Sequence, residues 1–448
     1  MSSDSATAAT SSTPPPGDAA GLPLPAACDV LVVGAGPAGS AAARTLAQAG
    51  IRVVLADQHA FPRDKVCGDG LIPDAHHAMR KLGVFDEVMA AARRAGHVGC
   101  IGPSGRRIDV PGELAVLPRR ELDHILCRAA VAAGARPLPP ARFEAPIEEA
   151  GCVVGARLRT AGGVHDLRAR WVVLATGAQP QALIAAGMCE RCTPSGIALR
   201  GYVKNDAMVE RIRTLDVVWH PRLAPGYGWI FPCPNGVFNI GVGVAHSHEV
   251  RHGRHAMRDL NLRDAFTMFT KVYAPLRELI EGGSWLGDKP HELKGAPLRC
   301  SLEGARLSRP GLIVTGEAAG ATYAFTGEGI GKALETGIHA AEAILAGRGA
   351  ATGTANAASD GEAAAAGDGE AAVRADYEAR VLALKPRFAM YEKANRVNSH
   401  PWLIDLLIWS AKNNPRRLAR MAGVLDETHI PTDAATVRGV LRAIFVRH

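Results

Sequence analysis

Long apolar runs are missing from this 448-residue chain. Nowhere do about 18 apolar residues follow one another, so no transmembrane helix is expected. Aromatic residues make up only 5%, and no basic block is interleaved with them. A formal charge of +7 and a pI near 9.0 suit anionic lipid, phosphorylated substrates or nucleic acid, and the missing block ranks nucleic acid last. Residues 1–27 lack the apolar core of a signal peptide; their Ser, Thr, Ala and Pro content predicts a disordered tail, and the expected location is the cytoplasm. Nine cysteines lie scattered without a repeating spacing, which indicates a reducing compartment rather than a disulfide framework. Cys189 and Cys192 form a CxxC, but no second pair completes four zinc ligands, and no pair among the histidines is placed for a metal. Two ordinary thiols and no metal site is the reading.

What is present begins at Cys28. "CDVLVVGAGPAGSAAARTLAQAG" reads as a buried strand, a glycine turn and an alanine-rich helix, and "IRVVLADQ" as a second strand. This is the first βαβ unit of a doubly wound α/β domain. "ELDHILCRAAVAAGA" is amphipathic, with Leu122, Leu126 and Ala129 at helical spacing, and "ARWVVLATGA" is another buried strand running into a glycine turn. Between about Gly196 and Ala245 the text changes to short β-rich runs cut by Gly and Pro, which predict an antiparallel sheet over the nucleotide unit. Residues 349–372 are low in complexity and are expected to form a flexible insertion, with a helical region from Val373 to the end. The division that follows is a discontinuous nucleotide domain (28–190 plus 297–348), a substrate domain (191–296) and a helical C-terminal region (373–448).

Gly34-x-Gly36-x-x-Gly39 sits between a predicted strand and helix, and Asp57 closes the next strand. Glycines there permit a tight turn, close approach to a pyrophosphate and close helix packing, while an acid at Asp57 accepts from ribose hydroxyls. An acid suits a free 2′-hydroxyl, hence FAD or NAD rather than NADP. The stretch "GLIVTGEAAGATYAFTGEGIGKALETG" then has a strand, Gly316-Glu317, and Gly327-Glu328-Gly329-Ile330 opening a helix.

With these residues the chain resembles the FAD-dependent oxidoreductases of the aromatic-hydroxylase superfamily. The resemblance implies that Gly316 and Glu317 meet the flavin ribityl chain and that Gly327 to Ile330 lie by the isoalloxazine. It also implies that Arg119, in "PRRELD", lies near the phosphates and ribityl, with Arg120 as a neighbouring candidate. Glu317 stands where the superfamily has Asp, and Ala324 where a proline is common. The Asp-Gly of the aromatic hydroxylases is absent from "LATGAQPQAL", and the Trp-x-Trp-x-Ile-Pro of the halogenases is not evident.

Two stretches resemble the geranylgeranyl reductase family instead. One is Pro62-Arg63-x-Lys65-x-Cys67-Gly68-x-Gly70; the other is Pro225-Gly226-Tyr227-Gly228-Trp229-Ile230-Phe231-Pro232. The resemblance covers about Cys28 to Leu345. It implies a Rossmann-like FAD domain with an inserted antiparallel sheet, and reduction of isolated double bonds in polyprenyl chains. Tyr227, Trp229 and Phe231 alternate and so share one strand face, as an aromatic wall or as ordinary core. Cys67 is the first candidate proton donor to the alkene, Asp69 the second if burial raises its pKa. Asp69 is otherwise a turn residue between Gly68 and Gly70, whose freedom suits close packing or loop movement. Arg63 and Lys65 are candidates for a diphosphate or FAD phosphate, or for a solvated loop face. No separate NAD(P)H domain is visible, so the electron donor is expected to be transient NAD(P)H, ferredoxin or another reductant.

"SHPWLIDLLIWSAKNNPRRLARMAGVL" sets Trp402, Leu403, Leu406, Leu407 and Trp409 before Lys412, Arg416, Arg417 and Arg420. Such a helix either lies on an anionic membrane surface or packs on the catalytic domain. Two other functions compete with a prenyl reductase: a flavin monooxygenase or halogenase, and a flavin-free binder of prenylated partners.

Overall fold

The computed structural model describes residues 24–245, 261–353, 362–412 and 414–425. The predicted tail lies outside them except for its last few residues.

The strand Ala27–Val33 is central to an eight-stranded sheet, parallel to both Val53–Ala56 and Gly163–Leu174. Val30 and Val32 face one core cluster and Leu31 and Val33 the other, so the strand is buried on both sides. That is why it reads as a continuous apolar run rather than an alternation. Leu312–Val314 joins the same sheet in parallel beside Gly163–Leu174, which brings the chain back to the fingerprint after more than half its length. The helices Pro37–Gln48 and Ile330–Gly353 then pack together over one face. A Cβ on Gly337 would collide with the Ala38 carbonyl, and one on Gly316 would stand 2.6 Å from Ala38 Cβ. Only glycine allows the second glycine turn to approach the first helix so closely.

The other sheet has nine strands. Gly196–Lys204, Val237–Ala245, Gly226–Pro232 and Leu215–Val218 are antiparallel neighbours, as the β-rich text predicts. Its far half comes from earlier in the chain: Arg93–Ile101, Arg107–Val116 and Gly70–Leu71. These three strands belong to the 28–190 stretch assigned to the nucleotide domain. Alternation along Arg107–Val116 marks one of them in the sequence: Ile108 and Val110 are buried between exposed neighbours. Helices Leu262–Val272 and Ala274–Glu281 cover one face of this sheet through Phe266, Phe269, Leu276 and Leu279, packed on Ile230, Phe238 and Ile240.

Of the expected flexible insertion, residues 354–361 lie outside the description. Helices run into it from both sides, Ile330–Gly353 and Glu362–Leu382, because its abundant alanine is the strongest helix former. Beyond it, Asn395 Nδ2 donates to Ala245 O (2.7 Å), and Asn398 accepts from Trp219 Nε1 (2.7 Å). Helix Trp402–Lys412 packs Ile404, Ile408 and Ala411 against Ile108, Val110 and Trp219. Asp405 pins the helix by accepting from the Ser104 amide (3.1 Å) and hydroxyl (2.6 Å). No described helix is long and apolar enough to cross a membrane.

Candidate functional site

At the end of the first strand, Gly34 has φ +101, and a Cβ on Gly39 would collide with the Gly34 carbonyl. Helix Pro37–Gln48 has no side-chain cap and no acid in its first turn, so its N-terminal amides and dipole face the turn unanswered. Above Gly36, the nearest atoms to an added Cβ are Nη2 of Arg63 (3.6 Å) and Nη2 of Arg119 (3.8 Å). The buried Thr176 hydroxyl beyond the turn has no hydrogen-bond partner among the described residues. Two guanidinium groups, an uncapped helix and an unpaired hydroxyl fit the pyrophosphate of FAD. Replacing Gly39 with alanine should therefore yield mostly colourless protein; the ratio of flavin to protein absorbance reads the loss directly.

Asp57 has a second task. Its Oδ2 accepts from Ala35 N (2.8 Å) and its Oδ1 from His59 N (3.0 Å), so the carboxylate shapes the glycine turn. Arg119 is buried and Arg120 exposed, which picks the first as the inward residue. Its guanidinium forks onto Asp123 (2.6 and 2.8 Å), and Arg63 reaches the same carboxylate at 3.0 Å. Asp123 belongs to no motif, and its only mark in the sequence is its place four residues after Arg119 on one helix face.

The downstream turn meets the aromatic strand. Tyr227 donates its hydroxyl to Thr326 O and sits 3.1 Å from where a Gly327 Cβ would be. Glu328 turns back to accept from Gly331 N (2.9 Å), capping the helix that begins at Ile330. Glu317 lies 3.5 Å from Lys65 Nζ, so its extra methylene carries the carboxylate toward the Cys67 loop. Ala324, where a proline is common, is buried against Ala245 and Cys300. Tyr227, Trp229 and Phe231 do share a face, with ring centroids 6.3 and 6.4 Å apart in sequence order. Room for Trp229 comes from Gly241 on the next strand, where a Cβ would collide with the indole. Trp219 and Phe325, which the motif did not include, extend the wall: Trp219 is 5.9 Å from Tyr227 and stacked 6.2 Å from Phe325.

The stretch from Arg63 to Gly70 staples the two sheets together. Arg63 and Lys65 point to the nucleotide side through Asp123 and Glu317. Asp64 faces the other way and accepts from Arg200 (2.7 Å) and Lys294 (3.2 Å). Asp69 has φ 65 and is fully buried. Its Oδ1 accepts from Arg119 N (3.3 Å), and its Oδ2 from Tyr202 Oη and Asn239 Nδ2 (2.7 Å). Asn239 also donates to Cys67 O (2.8 Å) and accepts from Trp229 Nε1 (2.8 Å), joining loop, acid and aromatic wall through one amide. Gly68 and Gly70 leave the space that Phe231 fills, at 3.3 and 3.5 Å from an added Cβ. The Cys67 thiol is half-buried and lies beside Arg119. Burial pushes its pKa up, against the pull of Arg119, so the thiol keeps its proton at neutral pH.

Comparison with known proteins agrees with this geometry. An FAD binding domain family matches residues 27–232. Menaquinone reductase of Mycolicibacterium smegmatis is 32% identical over 71% of this chain and 76% of its own length. Digeranylgeranylglycerophospholipid reductase 1 of Methanopyrus kandleri is 31% identical over 70% and 79%. The chain belongs to the geranylgeranyl reductase family. Its fold is shared with a geranylgeranyl bacteriochlorophyll reductase-like protein of Thermoplasma acidophilum, at TM-score 0.70 and 22% identity over 93% of this chain and 96% of the other. A flavin-dependent brominase shares it too, at TM-score 0.68 and 18% identity over 93% and 97%. At these identities the likeness is one of fold alone. This family member is thus an FAD-dependent oxidoreductase.

In this geranylgeranyl reductase family member, Tyr202, Arg200 and Asn239 were missed by motif reading. Their signal was available: each is a polar residue inside a strand text that is otherwise apolar. Burial raises the Asp69 carboxyl from 3.8 to about 6, outweighing Tyr202, Arg200 and Asn239, which favour the anion. Between these two values the native acid holds a proton that the unfolded one has released. Stability from this proton is complete below 3.8 and is lost as pH rises through about 6. The loss is on the order of 3 kcal/mol. Melting temperature should fall across that window in the native protein and stay flatter in Asp69→Asn; parallel curves would remove the assignment.

Proposed function

We propose that this protein reduces isolated C=C bonds in the polyprenyl chain of a lipid or quinone. The observation that carries the reading is the wall of Trp219, Tyr227, Trp229, Phe231 and Phe325 running from the flavin turn to the Cys67 loop. Such a wall holds an extended apolar chain away from water. The menaquinone and archaeal lipid reductases among its relatives carry names that fit this substrate class.

When bound and reduced, FAD supplies the hydride. An unconjugated alkene has no carbonyl to accept the developing charge, so a proton must be delivered at the second carbon. Cys67 is the group we assign to hold that proton, with Arg119 beside it to favour the thiolate once the proton has left. Asp69 anchors the loop through Tyr202 and Asn239 and, near pH 6, is a second proton-holding group behind it. Electrons would come from NAD(P)H or a ferredoxin-class donor.

Access to a lipid substrate has a place on the surface. Helix Trp402–Lys412 closes the wall with its inner face, while Trp402 and Trp409 are 59% and 51% exposed on the outside. Lys412, Arg416 and Arg420 are exposed just beyond. Paired interfacial tryptophans beside basic residues suit an anionic bilayer surface. The protein should float with vesicles containing anionic lipid, and Trp402→Ala with Trp409→Ala should lose most of this binding.

The reaction itself is tested by incubating FAD-loaded protein anaerobically with dithionite and a polyprenyl quinone or geranylgeranyl lipid. Mass spectrometry should show products gaining two hydrogens per bond. Unchanged prenyl masses for both substrates, with substrate-dependent oxygen uptake in air, would favour a monooxygenase instead.

A further inference from the structure

Cys189 and Cys192 play no part in the site described above. They follow the short helix Gln181–Ala185 on the nucleotide side, and their Sγ atoms are 3.8 Å apart. Cys192 is exposed and Cys189 half-buried, whereas Cys28, Cys127, Cys233 and Cys300 are buried. The connecting backbone is held rather than loose. The amides of Glu190 and Arg191 both donate to Gly304 O (3.0 and 3.1 Å), and Arg306 N donates to Met188 O (2.9 Å). Buried Arg299 donates to both Arg191 O (3.0 Å) and Gly304 O. Two thiols on one short loop, in contact and open to solvent at one end, have the arrangement that thiol–disulfide exchange needs.

This loop is also tied to the flavin turn. The segment that receives its amides, 299–306, returns hydrogen bonds to the downstream glycine turn. Ser301 N donates to Thr322 O (3.1 Å) and Leu302 N to Gly320 O (2.9 Å). Gly320 closes the turn that starts with Gly316 and Glu317, and a Cβ there would press on Glu303 N at 2.8 Å. Cys189 itself bridges to Ala305. A change in the CxxC loop therefore has one backbone segment to cross before it reaches the residues that face the cofactor.

We propose that Cys189 and Cys192 form a reversible dithiol–disulfide site that exchanges with low-molecular-weight disulfides and passes its redox state to the flavin turn. In the first step the exposed Cys192 loses its proton and its sulfur attacks one sulfur of the external disulfide, giving a mixed disulfide and one released thiolate. Cys189 then loses its proton and attacks Cys192 Sγ, releasing the second thiolate. Two S–H bonds and the external S–S bond are broken and one protein S–S bond forms. Two electrons reduce the external disulfide, and the two protons end on its two thiols. The sulfurs close from 3.8 Å to about 2.0 Å, drawing residues 189–192 inward against Gly304.

The coupling rests on the FAD reading, but the thiol chemistry does not, and the experiment separates them. Full-length, FAD-loaded protein is equilibrated in mixtures of reduced and oxidised glutathione, acid-quenched and alkylated, and the peptide spanning 189–192 is weighed. As the mixture becomes oxidising, that peptide should lose both alkyl tags together and regain both on return to reduced glutathione. The visible circular dichroism of the flavin should shift over the same range in the native protein and stay constant in Cys192→Ser, whose side chain is exposed and whose fold should be unaffected. Two tags retained at every ratio, or a stable glutathione adduct on Cys192 with Cys189 still tagged, overturns the site. A linked pair with an unchanged flavin signal overturns the coupling. Protein that stays colourless after incubation with FAD, and whose thiols still link, would refute the FAD reading while leaving the dithiol intact.

Discussion

Cys67→Ala is expected to bind FAD as the native protein does and to turn over about 10²–10⁴-fold more slowly, the range typical of a lost general acid. The two effects separate because of where the loop is anchored. Asp57, Arg63, Arg119 and the first glycine turn are held on the nucleotide side by Ala35 N and by the fork on Asp123, and these contacts stay in place when the thiol that lies against Arg119 is removed. The loop is fixed to the nine-stranded sheet by the Cys67 carbonyl and by Asp69, which the substitution leaves in place. What disappears is an S–H that burial keeps protonated. Cys67→Ser is the sharper variant, because it preserves volume and polarity while its hydroxyl holds its proton much more tightly. Prenyl product formed by Cys67→Ser at the native rate, with a normal flavin-to-protein ratio, would sink the proton-donor role and leave Cys67 as a wall residue. The same measurement on Asp69→Asn shows whether the acid behind it feeds the thiol or only holds the loop.

The sequence made some of this site legible and hid the rest for physical reasons. The glycine fingerprint was readable because its demands are local: a turn, a helix N-terminus and an acid at a fixed distance along the chain. Alternation placed Tyr227, Trp229 and Phe231 on one face because strand geometry leaves no other outcome. Long-range pairings were not readable. Nothing near Gly70 or Arg93 announces that these segments complete a sheet whose other half starts more than a hundred residues later. The charges of the opening loop alternate direction, with Arg63 and Lys65 toward one sheet and Asp64 toward the other. That division shows only when both sheets are in place. Asp69 is the instructive case. Its two readings, turn residue and functional acid, describe the same atom group: a left-handed turn buries the carboxylate, and burial is what raises its pKa.

Asn239→Leu is expected to be the most destabilising single change at the site. The side chains are similar in volume, so no cavity opens and packing against Trp229 is largely kept. Lost instead are three hydrogen bonds in a buried region: from Trp229 Nε1 at 2.8 Å, to Cys67 O at 2.8 Å and to Asp69 Oδ2 at 2.7 Å. Each buried group left without a partner costs about 1–3 kcal/mol, more where it is charged. Trp229 and Asp69 are both buried, so water cannot replace the amide cheaply; a total of about 3–5 kcal/mol follows. The effect should be regional. Amide hydrogen exchange should quicken at residues 67–70 and along Gly226–Pro232, while the parallel sheet and FAD content stay close to native. Asn239→Asp tests the sign of the charge, since a second carboxylate there repels Asp69 and forces one of the two to take up a proton. It should therefore be rescued in part by lowering the pH, whereas Asn239→Leu should not. Native melting behaviour in Asn239→Leu would mean that the loop is held chiefly by Asp64 with Arg200 and by Phe231 against Gly68, and that the Asn239 amide is incidental to the position of Cys67.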